Sequence, residues 1–116
     1  MLIVKTIVEE SKLHGKGLFA DENIKRGRIV WKYNHLIDRK ISQKKLLHLP
    51  AIVQRFIKYY SYVNNKNEFV LCGDDARYIN NSDNPNTQDK VSFSDKLFGR
   101  EGICTALRNI KKGEEI

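Results

Sequence analysis

Cysteine is scarce in this sequence of 116 residues, with Cys72 and Cys104 as the only two. Both lie in short apolar segments that are typical of strands, so we expect buried free thiols and not a disulfide. A zinc site would need more ligands than these cysteines and the scattered His14, His35 and His48 are placed to provide. The sequence therefore predicts no bound metal.

Long apolar runs are also missing, and no stretch approaches the length needed to span a bilayer. The first five residues lack the pattern of a signal peptide. No segment is repeated or low in complexity, and a hydrophobic content of 41% argues against disorder. We therefore expect one soluble, intracellular domain over residues 1–116, with no membrane partner and an oligomeric state that the sequence leaves open.

The net charge of +7 is unevenly distributed along the chain. Residues 1–60 hold 13 Lys and Arg against 5 Asp and Glu, whereas residues 61–116 hold 8 against 9. A basic first half can attract nucleic acid, but its charges are dispersed, which favours an ordinary solvated surface. Nucleic acid is thus not the favoured partner, and the acidic residues of the second half leave room for a groove that binds a basic peptide.

Short segments with strand character alternate with turns in the first third of the chain. Residues 2–9 are rich in Ile, Val and Thr, residues 14–17 are typical of a tight turn, and residues 18–20 resume an extended segment. Residues 28–33 alternate in polarity, which predicts a strand with Ile29, Trp31 and Tyr33 on one face. Further strands are predicted at residues 69–72 and 103–107, with a turn at residues 99–102.

The period changes to a helical one over residues 42–60, where apolar residues recur three or four positions apart. Pro50 is tolerated at the start of a helix but not inside one, which predicts a break near Leu49 and a helix over residues 50–60. The expected fold is mainly β with one or two short helices.

Three motifs stand in a fixed order. Residues 14–20 (HGKGLFA) contain two glycines, residues 77–86 (RYINNSDNPN) have the composition of a loop, and residues 106–116 (ALRNIKKGEEI) end the chain. Each motif is common by itself. Together, in this order and at this spacing, they resemble a SET domain, the fold of S-adenosylmethionine-dependent protein lysine methyltransferases.

The resemblance covers nearly the whole chain and implies a SET-type β-clip of small sheets with a knot-like crossing near the carboxy terminus. Residues 42–62 match the variable helical insert of the family. S-adenosylmethionine is the implied cofactor, and a protein or peptide that carries a lysine is the implied partner.

Glycines without side chains allow a ligand to approach the backbone closely, although an ordinary hairpin turn uses them too. In SET domains the loop that matches Gly15, Lys16 and Gly17 holds the methionine part of the cofactor through backbone groups. The resemblance therefore implies that these three residues bind the cofactor.

Asn80 and Asn81 can each donate and accept hydrogen bonds, as an adenine ring and an amino acid head group require, or they can simply cap turns. The family usually has Asn-His here, so Asn80 matches the family and Asn81 departs from it. Arg77 stands where the family has an arginine near the cofactor, and a surface salt bridge with Asp74 or Asp75 is the alternative. We expect Arg77, Asn80 and Asn81 to bind the cofactor.

Tyr33 lies on the strand that in the family ends in Tyr-x-Gly and lines the channel for the target lysine, which implies a catalytic role. His35 replaces the glycine of that motif. Tyr60 resembles the tyrosine of the insert that contacts the cofactor, with Tyr59 and Tyr62 as rivals.

Two departures bear on activity. The family often has a zinc-binding cysteine where this chain has Asp83, and a catalytic tyrosine follows Gly-Glu-Glu, whereas this sequence stops at Ile116. A truncated enzyme is the favoured interpretation. The alternatives are a catalytically silent SET-like interaction module and a basic domain that binds nucleic acid.

Overall fold

The structure is a computed structural model and describes residues 1–89 and 102–116. In these ranges the chain forms eight short strands, two α-helices and one 3-10 helix, Asp75–Tyr78. The strands are β1 (Thr6–Glu10), β2 (Lys16–Ala20), β3 (Ile29–Lys32), β4 (Arg39–Ser42), β5 (Ser61–Val63), β6 (Glu68–Leu71), β7 (Thr87–Asp89) and β8 (Ile103–Ala106); the helices are α1 (Gln43–Leu47) and α2 (Ala51–Tyr60).

Three small antiparallel sheets carry the fold, with strand orders β1-β2, β3-β8-β7 and β4-β6-β5. The predicted fold class, mainly β with short helices, is confirmed. β5 and β7 each pair with one neighbour only, so each is an edge strand within the described residues. The turn predicted at residues 99–102 lies, except for Gly102, outside the described residues.

The first hairpin is tighter than the sequence predicted. Glu10 pairs with Lys16, so Lys16 and Gly17 belong to β2 and not to a turn over residues 14–17. The turn lies earlier, where the Ser11 amide donates to the Gly15 carbonyl at 2.8 Å. Leu2 forms only an isolated bridge with Trp31, and β1 therefore begins later than predicted.

The prediction that Ile29, Trp31 and Tyr33 share one face was wrong. The pairing of β3 with β8 shifts register between Ile29 and Trp31, which is a β-bulge. A bulge inserts one residue and turns the side chains that follow it. As a result Val30 and Trp31 are both buried, with 0% and 2% of their surface exposed, while Ile29 is 37% exposed.

The two helices of the insert are separated near Pro50, as the sequence predicted. The Ser42 hydroxyl caps α1 by accepting the Lys45 amide at 3.2 Å, and Pro50 stands immediately before α2. Proline has no amide hydrogen to lose at that position. Ile57 of α2 packs with Leu46 and Phe69 in a small core of its own.

Two larger cores hold the rest together. One joins β2 to the end of the chain through Leu18, Ile110 and Ile116, and the Ile116 amide donates to the Leu18 carbonyl at 2.7 Å. The other contains Cys72 and Cys104, which are buried free thiols as predicted. Residues 1–89 and 102–116 include no helix that is long and apolar enough to cross a membrane.

Candidate active site

A cavity of about 940 Å³ lies between the first hairpin, the end of α2 and the loop after the 3-10 helix. Five of the residues expected to bind the cofactor line it: Lys16, Tyr60, Arg77, Asn80 and Asn81. A pocket of this size suits a ligand as large as a nucleoside with an attached amino acid.

Asn80 ties the two motif loops together beside this cavity. Its amide nitrogen lies 3.2 Å from the His14 carbonyl oxygen, 3.1 Å from that of Lys16 and 2.9 Å from Glu115 Oε1. The side-chain amide has two N–H donors to share among these three acceptors. Two loops more than sixty residues apart in the chain thus meet through one side chain.

Glu115 fills the space that Gly17 leaves free. A Cβ atom at residue 17 would lie 2.2 Å from Glu115 Oε1. The same oxygen accepts a hydrogen bond from the Ser11 hydroxyl at 2.7 Å. Gly17 is therefore needed for packing within the protein, whereas Gly15, with φ of 51°, faces open space. The sequence suggested ligand contact or a hairpin turn as the use of Gly17, and not contact with Glu115.

Arg77 does not form the alternative salt bridge with Asp74 or Asp75 within the described residues. The Asp74 carboxylate instead accepts the amides of Leu2 and Ala76 at 2.6 and 3.1 Å. The buried Nε of Arg77 has no hydrogen-bond partner among residues 1–89 and 102–116. Such orphaned donors are rare in folded proteins, which makes Arg77 a ready donor for a ligand.

Tyr60 lies in the aromatic wall of the cavity. Its ring is 4.8 Å from that of Tyr59 and 6.0 Å from that of Tyr78, both near-perpendicular. The Tyr59 hydroxyl is 2.8 Å from His14 Nε2 and so joins α2 to the hairpin turn. Tyr59, one rival of Tyr60, therefore reaches this wall too, with its hydroxyl occupied.

A second cavity, of about 470 Å³, adjoins the first and separates the edge strands β5 and β7. Three buried polar atoms have no partner in the described part of the chain: Trp31 Nε1, Ser61 Oγ and Arg77 Nε. All three residues line this cavity. The concentration of unpaired donors in one wall indicates a site for a hydrogen-bonding occupant.

Tyr33 lines neither cavity. Its hydroxyl donates a long hydrogen bond of 3.4 Å to the Asp38 carbonyl, and the Lys40 ammonium lies 4.5 Å from its ring centre. Burial, and then the charge of Asp38, raise the pKa of its hydroxyl. The Cβ atom of Tyr33 adjoins Gly102, which lines a third, smaller cavity of about 90 Å³.

Tyr62 and Asp89 line both the second and the third cavity. Burial, with a smaller contribution from Asp89, raises the pKa of the Tyr62 hydroxyl. The Tyr62 ring stands perpendicular to that of Trp31 with centres 6.1 Å apart. The sequence pointed to Tyr62 only as a rival of Tyr60, and nothing in the pattern marked Trp31 or Asp89 as site residues.

The two thiols near the second cavity are poor nucleophiles. Burial raises the pKa of Cys72 to about 12 and that of Cys104 to about 11. Because the thiolate is the reactive form, neither residue suits covalent catalysis at neutral pH.

Comparisons with known proteins agree with this geometry. The family model for the SET domain matches residues 15–116. A histone-lysine N-methyltransferase of Debaryomyces hansenii, specific for lysine 36 of H3, is 34% identical over 94% of this chain, which spans 15% of that protein. A Plasmodium falciparum protein assigned as a histone methyltransferase has a crystal structure with a TM-score of 0.65 and 27% identity, covering 97% of this chain and 90% of that one. A Chaetomium thermophilum Polycomb Repressive Complex 2 structure, bound to S-adenosylmethionine, shares the fold at 24% identity and a TM-score of 0.65, covering 97% of this chain and 14% of that one.

The structure combines small antiparallel sheets with a ligand-sized cavity between the β1-β2 hairpin and the loop that contains Asn80 and Asn81. This arrangement is that of the SET-domain methyltransferases whose structures are similar. The chain belongs to the SET domain family.

Proposed function

We propose that this chain forms the methyl-transfer centre of a protein-lysine N-methyltransferase that uses S-adenosylmethionine. The observation that carries the proposal is the link from Asn80 to the hairpin beside the large cavity. That link brings together the two loops that hold the cofactor in the family.

The residues present fit the cofactor. Arg77 and Asn81 offer polar groups at the cavity wall, and the aromatic ring of Tyr60 offers a surface on which a flat ring can stack. Gly15 leaves open space at the tip of the hairpin, next to the Lys16 and Gly17 backbone. When bound, S-adenosylmethionine supplies an activated methyl group on a sulfonium.

The second cavity suits the substrate. Edge strands present unpaired backbone groups, and β5 and β7 both border this cavity. An extended peptide placed between them would gain backbone hydrogen bonds by strand addition. Its lysine side chain would then enter the second cavity and approach the cofactor cavity beside Arg77, a residue that lines both.

The chain's residues would prepare the amine for attack. A lysine must lose its proton before it attacks a methyl group. Trp31 and Tyr62 would disfavour the charged form by desolvation, against the opposite effect of the Asp89 carboxylate that lines the same cavity. We propose that Tyr33 supports this channel from behind Trp31, whose ring lies edge to face with its own at 6.4 Å between centres, and helps to aim the lysine. Transfer itself needs alignment more than covalent help.

Two measurements test the proposal. S-adenosylmethionine should bind, by calorimetry, and raise the melting temperature of the chain. Transfer of a labelled methyl group to a panel of basic proteins should follow, and should end on lysine by mass spectrometry. Absence of cofactor binding contradicts the proposal. Binding without transfer in both this chain and a longer version favours the silent interaction module, and salt-sensitive RNA binding without cofactor binding favours a nucleic-acid domain.

A further inference from the structure

Within the described residues, Asp89 is a carboxylate without a partner at the junction of two cavities. It ends the edge strand β7 and lines both the second and the third cavity. Among residues 1–89 and 102–116, no hydrogen bond or ion pair involves its side chain. Asp21, Glu22, Asp38 and Glu114, by contrast, each pair with a cation.

The protein around Asp89 makes the charged form of its carboxylate unfavourable as long as no cation pairs with it. Asp89 is exposed at the rim, yet the protein atoms around it raise the pKa of its carboxyl through desolvation. The nearby Tyr62 hydroxyl has a raised pKa of its own and supplies no positive charge. A cation brought by a ligand would recover the lost solvation energy of the carboxylate.

Lys40 also lines the third cavity, but its ammonium contacts the ring of Tyr33 and not Asp89. It lies 4.5 Å from the centre of the Tyr33 ring and forms no ion pair with Asp89. Cation–π contact of this kind stabilises the lysine where it is. Asp89 therefore has no cationic partner among residues 1–89 and 102–116, and a cation carried by a ligand can pair with it.

We propose that Asp89 determines substrate specificity by binding the cationic head group of a Lys or Arg two positions from the target lysine, where the side chain lies on the same face of an extended peptide. This inference rests on the proposed function, because it assigns the second cavity to the target lysine and the third cavity to the residue two positions away. The third cavity, about 90 Å³ in volume, has room for an ammonium or guanidinium head group, and Asp89 is the carboxylate among its described lining residues. Asp89 and Tyr62 form the wall that the two cavities share.

The test compares peptides that differ only at the second residue on either side of the target lysine, which is Arg, Gln or Glu. For the unaltered chain the Arg peptide should have the lowest KM. In Asp89→Asn the KM of the Arg peptide should rise about tenfold, with kcat and the affinity for S-adenosylmethionine nearly unchanged. In Asp89→Lys the order should invert, so that the Glu peptide becomes the best substrate.

Asp75→Asn is the matched control, because Asp75 is exposed and lines none of the three cavities. It removes the same charge and should leave the order of the peptides intact. Equal discrimination by the unaltered chain and Asp89→Asn would overturn the proposal, as would an equal loss in Asp75→Asn. Fluorescence anisotropy with labelled peptides measures the same preference without turnover, so a chain that binds peptide but does not methylate it still tests the role of Asp89.

Discussion

The side chains of Asn80 and Glu115 meet at 2.9 Å, Nδ2 to Oε1, between the asparagine loop and the last residues of the chain. Glu115 also accepts from Ser11, so its carboxylate links the hairpin, the loop and the carboxy-terminal segment. The large cavity that Asn80 lines therefore depends on a hydrogen-bond cluster that is itself part of the fold.

Replacement of Asn80 tests this cluster. Asn80→Ala should reduce the free energy of unfolding by about 1 to 2 kcal/mol, because three acceptors lose a donor. Asn80→Asp should cost more, because its carboxylate would face Glu115 and two carbonyl oxygens. Urea unfolding measures both. Asn81→Ala is the control, since Asn81 lines the cavities and should affect cofactor affinity more than stability. Equal stability of Asn80→Ala and the unaltered chain would contradict the role of the donor.

Gly17→Ala should destabilise the chain through Glu115. The new methyl group would overlap Glu115 Oε1, and moving that flexible carboxylate would break its bonds to Ser11 and Asn80. We expect Gly17→Ala to lower the free energy of unfolding by about 1 to 3 kcal/mol in a chain that retains Glu115. In a Glu115→Ala background the same substitution should cost much less, and the double-mutant cycle measures the difference. Additive effects would show that Gly17 is needed for another reason.

These contacts explain how far the sequence could be read. The strand and helix patterns predicted most elements, and Pro50 located the helix break, because local chemistry decides those features. The bulge at β3 escaped the pattern, since it depends on how β8 pairs and not on the alternation within residues 28–33. The family resemblance predicted that the loops with Lys16 and with Asn80 form one site, and both loops line the large cavity. It did not reveal Glu115 beside Gly17 or Asp89 beside Tyr62, because those pairs exist only once distant segments are packed together.

The buried thiols predict loss of stability at alkaline pH. Their pKa values, about 12 for Cys72 and about 11 for Cys104, exceed the ordinary value of 9.0. The folded chain keeps these protons when the unfolded chain has lost them, so the stabilisation is complete below about pH 9 and declines as pH rises toward the folded values. Each thiol should contribute a slope of about 1.4 kcal/mol per pH unit in that window.

Urea unfolding across alkaline pH measures that slope. Cys72→Ala lowers stability at every pH by removing buried volume, but its decline should be shallower than that of the unaltered chain. Tyr62 contributes a background of the same sign, because its pKa is also raised. Parallel curves for the two chains would show that Cys72 does not titrate as described.

Arg77 should matter for the cofactor and little for stability. Its Nε has no partner to lose in the described part of the protein. Arg77→Met keeps the length of the side chain and removes the charge, so we expect about tenfold weaker binding of S-adenosylmethionine by calorimetry and an unchanged melting temperature. Arg26→Met, in an exposed turn, is the control and should leave both values unchanged. A melting temperature that falls with the affinity would make Arg77 a structural residue.

The roles of Tyr33 and Tyr62 can be distinguished by replacing each tyrosine with phenylalanine, which removes only the hydroxyl oxygen. The Tyr62 hydroxyl belongs to a side chain that lines the second cavity, whereas the Tyr33 hydroxyl contacts the Asp38 carbonyl at 3.4 Å. Tyr33→Phe should lower kcat and leave cofactor affinity intact if Tyr33 aims the lysine, as the family resemblance implies. Tyr62→Phe should lower kcat as well if the target lysine enters the second cavity as proposed, because the wall of that cavity loses a polar atom. If Tyr33→Phe turns over at the unaltered rate while Tyr62→Phe does not, the lysine is aimed from β5 across the cavity, and Tyr33 serves only to hold Lys40 and the wall behind Gly102.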